Sequence, residues 1–510
     1  MTRFALLVLL AALVAAPAVA QVSPEAPSPA ARRALAVETD AGAALWADGH
    51  ASLLAFQLDA ANGAFRRLGA AEPASAAGAL GLETVALWQA LVMERPPFTD
   101  RFYALNDSLG RVADALPETP EGDWVRATTA LHRAILLGRE ERYARAGLAF
   151  RDACGQYREL PASVPDALFG QGVCEAAAGS VPAKYRWLGR ILGFSGSVAG
   201  GIEKLGRAAA GDGATTTEAV AAFAMVDATL NERKAGGLAR LREVSAAHPG
   251  SPVYAYLVAS FGLRDRDAVA AEADLRRAAA ALARPGAAAF PLVDADLGLA
   301  LFRQDRFAEA LPFLDRFVRT FRGNALLART TLTAGLAAEI TGDRRAAEAY
   351  YGRVRATRDL DMDKSAAREA ALRRAAPMTA TERTLLLGQN AFDSDRLALA
   401  IRLLQPVLTD ARLPETARAE AAYRTGRALQ ALGQTAEALR HFSLAVARPG
   451  DPLGRWGPWS LYHVGEIHEA AGQTTEARTA YEAALAAESD YDFKTTLEQR
   501  VKTALGRLGA

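Results

Sequence analysis

The sequence predicts an all-α fold, an α-solenoid built from antiparallel helix pairs, on three observations. From Ala31 onward almost every stretch carries apolar residues at a 3.6-residue period, and period-two alternation is scarce. Much of the 51% apolar content is alanine, the best helix former and a poor strand former. Third, five segments share one register. Seven residues after Gly298, Gly335, Gly388, Gly426 and Gly465 stands a turn former: Asp305, Gly342, Asp395, Gly433 and Gly472. Twelve residues after each glycine comes alanine (Ala310, Ala347, Ala400, Ala438, Ala477), and sixteen after comes a large residue (Leu314, Tyr351, Leu404, Phe442, Tyr481).

The elements follow in order. Residues 1–20, MTRFALLVLLAALVAAPAVA, read as a signal peptide: Arg3 is the basic start, Phe4 to Ala16 the apolar core, and Ala18-Val19-Ala20 the small-residue cleavage site before Gln21. That core falls short of the roughly 20 residues a membrane span requires, so no transmembrane segment is expected after cleavage. Residues 21–30 form a Pro-rich tether, 31–282 a set of degenerate helical repeats, and 283–510 the regular ones. Gly49, Ala61 and Phe65 keep the offsets of twelve and sixteen, and 218–249 read as a helix pair closed by Pro249. In GDGATTTEAV, Thr215 and Glu218 have capping-box spacing. Residues 77–160 are helical without a defensible repeat, and ARPGAAAFP and ARPGDPLGRWGP are loops between units. One continuous solenoid is expected, with a bend near 180–215.

Physically, the glycine and the alanine let two antiparallel helices approach, and the turn former separates them. The large side chain is expected to fill the groove toward the neighbouring pair. The register resembles the tetratricopeptide repeat, with LYHVGEIHEAAGQTTEARTAYEAAL its fullest copy. Successive glycines lie 37, 53, 38 and 39 residues apart, beyond the repeat's usual period of about 34, which implies longer loops. The block PDALFGQGVCEAAAGSVPAKYRWLGRILGFSGSVAGGIEKL, with WSLYHVGEIHEAAGQ and SDYDFKTTLEQRVKTAL, is similar to the tetratricopeptide repeat 39-like family and to exported bacterial repeat proteins. That resemblance implies a scaffold without shared catalytic residues, and it makes GFSGSVAGG (193–201) a hinge. Gly193 and Gly196 would turn the chain, Phe194 would anchor it, and Gly200 and Gly201 would let the next helix pack close. The hydroxyls of Ser195 and Ser197 would be dispensable. The stretch fits no phosphate loop, nucleophile elbow or dinucleotide fingerprint.

Composition excludes several functions. A net charge of +1 leaves no electrostatic footprint for nucleic acid. His463 and His468 are spaced i, i+5, unlike the zinc pair of HExxH, and no Cys/His cluster has zinc spacing. Asp361 and Asp363 lack the glycine and terminal glutamate of a calcium loop and read as surface charge. Cys154 and Cys174 fall one helical hairpin apart, as a disulfide or as two buried thiols. No cofactor, metal or catalytic residue is expected. The remaining candidate is the concave face lined by first helices. There the last two repeats carry Trp459, Tyr462, Glu466 and Glu469, then Tyr423, Arg427 and Gln430. Aromatics beside mixed charge suit a peptide groove; the competing reading packs Trp459 and Tyr462 against the 447–458 loop. The sequence therefore points to an exported, periplasmic or extracellular, non-catalytic scaffold for a protein or peptide partner. A helical-toroid enzyme acting on envelope polysaccharide, or a purely structural scaffold, are the alternatives. The first wants acidic pairs among many aromatics, which are 7% here.

Overall fold

The computed structural model describes residues 37, 39–161, 164, 166–180, 196–211, 213–230, 236–358, 360–447, 455–486 and 491–509. The leader, the tether and residues 193–195 of the hinge lie outside the described residues. Among those described there are 24 helices and no strand. They divide into two compact units, one comprising residues up to 261 with 273–293, the other 262–272 with 294 onward.

In the second unit the glycine register organises the packing. Its pairs are Leu292–Arg303 with Phe307–Thr320, Leu327–Ile340 with Arg344–Tyr351, and Ala380–Asp393 with Leu397–Thr409. Glu415–Ala431 with Thr435–Val446 and Trp456–Ala470 with Thr474–Leu485 complete the set. All five turn formers have positive φ, from 56° at Asp395 to 95° at Gly342, which glycine and short polar side chains tolerate best. All five alanines are fully buried. The large residue reaches the neighbouring element as expected, with Phe442 stacked 5.6 Å from His463 and Leu404 packed with Ala421 and Ala422 of the next pair, and it does a second job. It lies on the glycine of its own pair: a Cβ on Gly335 would stand 2.4 Å from the Tyr351 ring, and one on Gly465 would stand 2.4 Å from the Tyr481 ring. The helices are so close that a ring on the second requires a position without a side chain on the first.

The long step from Gly335 to Gly388 holds an additional helix, Asp361–Ala375, where the spacing suggested only a longer loop. The last helix, Lys494–Leu508, closes the unit by packing Leu497, Val501 and Ala504 on Tyr462, Ala477 and Tyr481. A complete capping box stands at Thr379 and Glu382, starting Ala380–Asp393. The one expected at Thr215 and Glu218 is replaced. Both the amide and the hydroxyl of Thr215 donate to Asp166, each at 2.6 Å.

The first unit repeats the theme less regularly. Between Asp40–Leu54 and Leu58–Ala71, Phe65 lies on Gly49, and Phe56 takes the positive-φ turn position. The segment 77–160 does contain a repeat. Ala134 stands where glycine would, Glu141 has φ of 61°, and Ala146 and Phe150 are buried at the later offsets. The helices around it are Pro120–Arg139 and Tyr143–Glu159. The same spacing recurs in the sequence at Ala259, Arg266 (φ 69°), Ala271 and Leu275, of which Arg266 and Ala271 belong to the second unit. Cys154 and Cys174 form a disulfide with Cα atoms 5.6 Å apart, joining Tyr143–Glu159 to Ala167–Ser180. The latter packs backbone to backbone on Val198–Ala209: a Cβ on Gly201 would stand 2.5 Å from the Ala176 nitrogen. Ser197 is not dispensable here, because its hydroxyl caps that helix by accepting the Gly200 amide at 3.0 Å.

Candidate functional site: the first-helix face of the last repeats

The first helices of the last two repeats bring an aromatic cluster together. Tyr423 lies 5.1 Å from Trp456 and 5.9 Å from His463, ring centre to ring centre. Trp459 lies 6.2 Å from His463 and 5.9 Å from Tyr462. Positions separated by one repeat step meet here because the two first helices run side by side. Arginines cover the rings. Arg500, from the closing helix, stands 5.6 Å from the Trp459 ring, Arg424 stands 5.4 Å from Trp456, and Arg427 stands 5.2 Å from Phe392. Arg427 also donates to the Tyr423 hydroxyl at 3.1 Å.

His463 sits at the centre. Burial and the nearby Arg427 charge lower its pKa to about 4, so the ring is neutral at physiological pH. Its Nδ1 lies 2.6 Å from Glu466 and donates to that carboxylate, leaving Nε2 facing the Tyr423 hydroxyl at 3.5 Å. Burial works to raise Glu466. Hydrogen bonds with His463 and Tyr462, together with the Arg427 charge, outweigh it and hold the acid at about 2. The face therefore presents one fixed carboxylate among arginines and rings.

The six sequence candidates separate. Trp459, Tyr423, Arg427 and Glu466 are half-buried and adjacent. Tyr462 was expected on the open face, but it is only 7% exposed and belongs to the core under the closing helix. Glu469 is also structural: it accepts the Tyr481 hydroxyl at 2.6 Å and Nε and Nη2 of Arg507 at 2.8 Å. Sequence reading missed Trp456, Arg424 and Arg500. The first two precede the glycines by nine and two residues, and the third comes from a helix outside the repeat, so no offset marks them. His468 bonds Gln473, apart from His463. Asp361 and Asp363 are not free surface charge: Asp361 bonds Thr496 and Asp363 is 4% exposed.

Residues 459–489 match the family model described as a tetratricopeptide repeat. No curated protein matches the chain. Among solved structures, the TPR2AB-domain:pHSP90 complex of yeast Sti1 is 16% identical, covering 50% of this chain and 98% of its own, at a TM-score of 0.21. The APC/C hetero-tetramer Cut9-Hcn1 is 12% identical, with 93% and 98% covered, at 0.28. The human IFIT1 dimer with m7Gppp-AAAA is 14% identical, with 79% and 88% covered, at 0.31. Scores this low carry no inference about function. Residues 459–489 thus form a tetratricopeptide repeat, and four earlier helix pairs share its register. The helix pairs built on this register make an all-α repeat solenoid. No helix among the described residues is long and apolar enough to cross a membrane.

Proposed function

We propose that this solenoid is an exported scaffold, is not an enzyme, and docks a protein or peptide segment on the first-helix face of its last repeats. Trp459, Tyr423 and Arg427 are the anchors, and Glu466 sets polarity. The observation that carries the reading is the adjacency of half-buried aromatic and arginine side chains on two successive first helices. Such side chains bury large areas with few rotors to freeze, and they dominate binding energies at interfaces. Export is supported by the Cys154–Cys174 disulfide, which persists in oxidising compartments, and by the cleavage pattern at Ala18-Val19-Ala20.

The test begins with cross-linking and pull-down from the envelope fraction, then affinities of the recovered partner for variants. Trp459→Ala and Arg427→Ala are each expected to weaken binding at least about tenfold while the melting temperature holds nearly constant. Tyr462→Ala is expected to lower stability instead. Unchanged affinity in both face variants overturns the assignment. Edman sequencing of the native protein should begin at Gln21; a mature chain starting at Met1 overturns export.

A further inference from the structure

The helix Asp361–Ala375 has no counterpart in the other repeat steps, and its bonds run to the far end of the second unit. Phe493, the residue before the closing helix, has φ of 64° and offers no side-chain cap. A helix's first-turn amides need an acceptor from somewhere. Asp361 supplies it across 135 residues, accepting the Thr496 amide at 3.0 Å and the Thr496 hydroxyl at 2.6 Å. One and two turns further along the same face, Ser365 donates to Asp492 at 2.9 Å and Arg368 forms an ion pair with it. Asp492, 2% exposed, also accepts Arg455 at 3.1 Å, and that guanidinium lies 4.1 Å over the Trp456 ring. These contacts therefore abut the edge of the aromatic face.

Little apolar burial backs them. The buried side chains of Asp361–Ala375 are Asp363, Ala366, Ala370 and Arg373, whereas Met362 and Leu372 expose 43% and 52%. Its far end is tied to local neighbours, with Arg344 donating to the Arg373 carbonyl at 2.7 Å and Arg373 paired with Glu382. The closing helix, in contrast, rests on its own core of Leu497, Val501 and Ala504. A helix whose N-terminal end is held by polar bonds to the far end of the unit, with alanines as its only buried apolar residues, opens there well before the unit unfolds.

We propose that Asp361–Ala375 is a releasable clasp. Pivoting on its C-terminal end, it frees Asp492 and Arg455 and uncovers the Trp456 edge of the face, so that clasp and partner compete. Only this last step rests on the docking reading; release itself is measured without a partner.

The experiment uses the full chain and hydrogen exchange by mass spectrometry on wild type, Arg368→Ala and Asp361→Ala. Exchange in 361–375 should accelerate at least tenfold in each variant, with 397–409 and 474–485 unchanged. With both native cysteines bonded to each other, Arg424→Cys introduces a single reactive thiol. Its maleimide labelling should quicken at least fivefold when Arg368→Ala is added. Unchanged exchange in 361–375, or a uniform rise over the second unit, overturns the clasp. Faster exchange with unchanged labelling overturns its link to the face. A face that binds no partner leaves both readouts intact, so the two failures are distinguishable.

Discussion

Gly465→Ala tests the repeat register at its tightest point. The new Cβ would stand 2.4, 2.5 and 2.9 Å from Cε1, Cδ1 and Cζ of Tyr481, a ring with no exposed surface. Ordinary contact needs about 3.5–4.0 Å, so the ring must move by about 1 Å or the helices must part. The Tyr481 hydroxyl is tied to Glu469 at 2.6 Å, which restrains that movement. Overpacking of this kind costs about 1–3 kcal/mol, and a strained hydrogen bond to a charged acceptor adds about 1 kcal/mol. Alanine's helix propensity returns about 1 kcal/mol over glycine. The net expectation is a loss of about 1–3 kcal/mol, read by urea denaturation followed by circular dichroism. Adding Tyr481→Ala removes the clash, so the double-mutant cycle should show a favourable coupling of at least about 1 kcal/mol. A Gly465→Ala protein as stable as wild type, or more so, would refute the register, because propensity alone would then be operating.

Glu218 is buried, and burial, reinforced by the Asp166 charge, raises its pKa to about 8. Between the unfolded value near 4.5 and 8 the native state holds the extra proton, so stability falls as pH rises through that window. Glu218→Gln should match wild type near pH 4 and exceed it increasingly toward pH 8 in thermal melts. Replacing Cys154 and Cys174 together with serine opens a loop of 20 residues and should cost about 3 kcal/mol, read as a lower denaturation midpoint of the first unit. Ser197→Ala removes the cap of Val198–Ala209 and should cost about 1 kcal/mol in the same assay, against no change if GFSGSVAGG were only a hinge.

How much the sequence revealed depended on contrast. In the second unit a glycine facing a large residue sixteen positions on is a physical necessity, since Tyr351, Phe442 and Tyr481 occupy the space a Cβ would take. In the first unit Ala134 replaces the glycine and Ala146 follows at the usual offset. In an alanine-rich chain that pair carries no signal, and Glu141 does not advertise its positive φ. The face was legible as far as Trp459, Tyr423, Arg427 and Glu466, whose first-helix offsets are fixed by the glycines. The clasp was not: Asp361 and Thr496 meet through the arrangement of the whole unit, and no period links them.

The separation of Glu469 from Glu466 shows what the register still contained. Glutamate stands four residues after the glycine in two of the five repeats, at Glu339 and Glu469. Those are the two repeats whose large residue is tyrosine, and each glutamate accepts that tyrosine's hydroxyl, at 2.7 Å in one and 2.6 Å in the other. Where the large residue is Leu314, Leu404 or Phe442, with no hydroxyl to satisfy, the same position holds Phe302, Phe392 or Gln430. A buried phenol needs an acceptor, and the fourth position supplies one only when the phenol is there. Glu469 thus completes the packing of its own helix pair. Glu466 and Arg427 stand one residue after their glycines, where the first and second repeats bury Leu299 and Leu336, so at that position the last two repeats exchange apolar burial for charge.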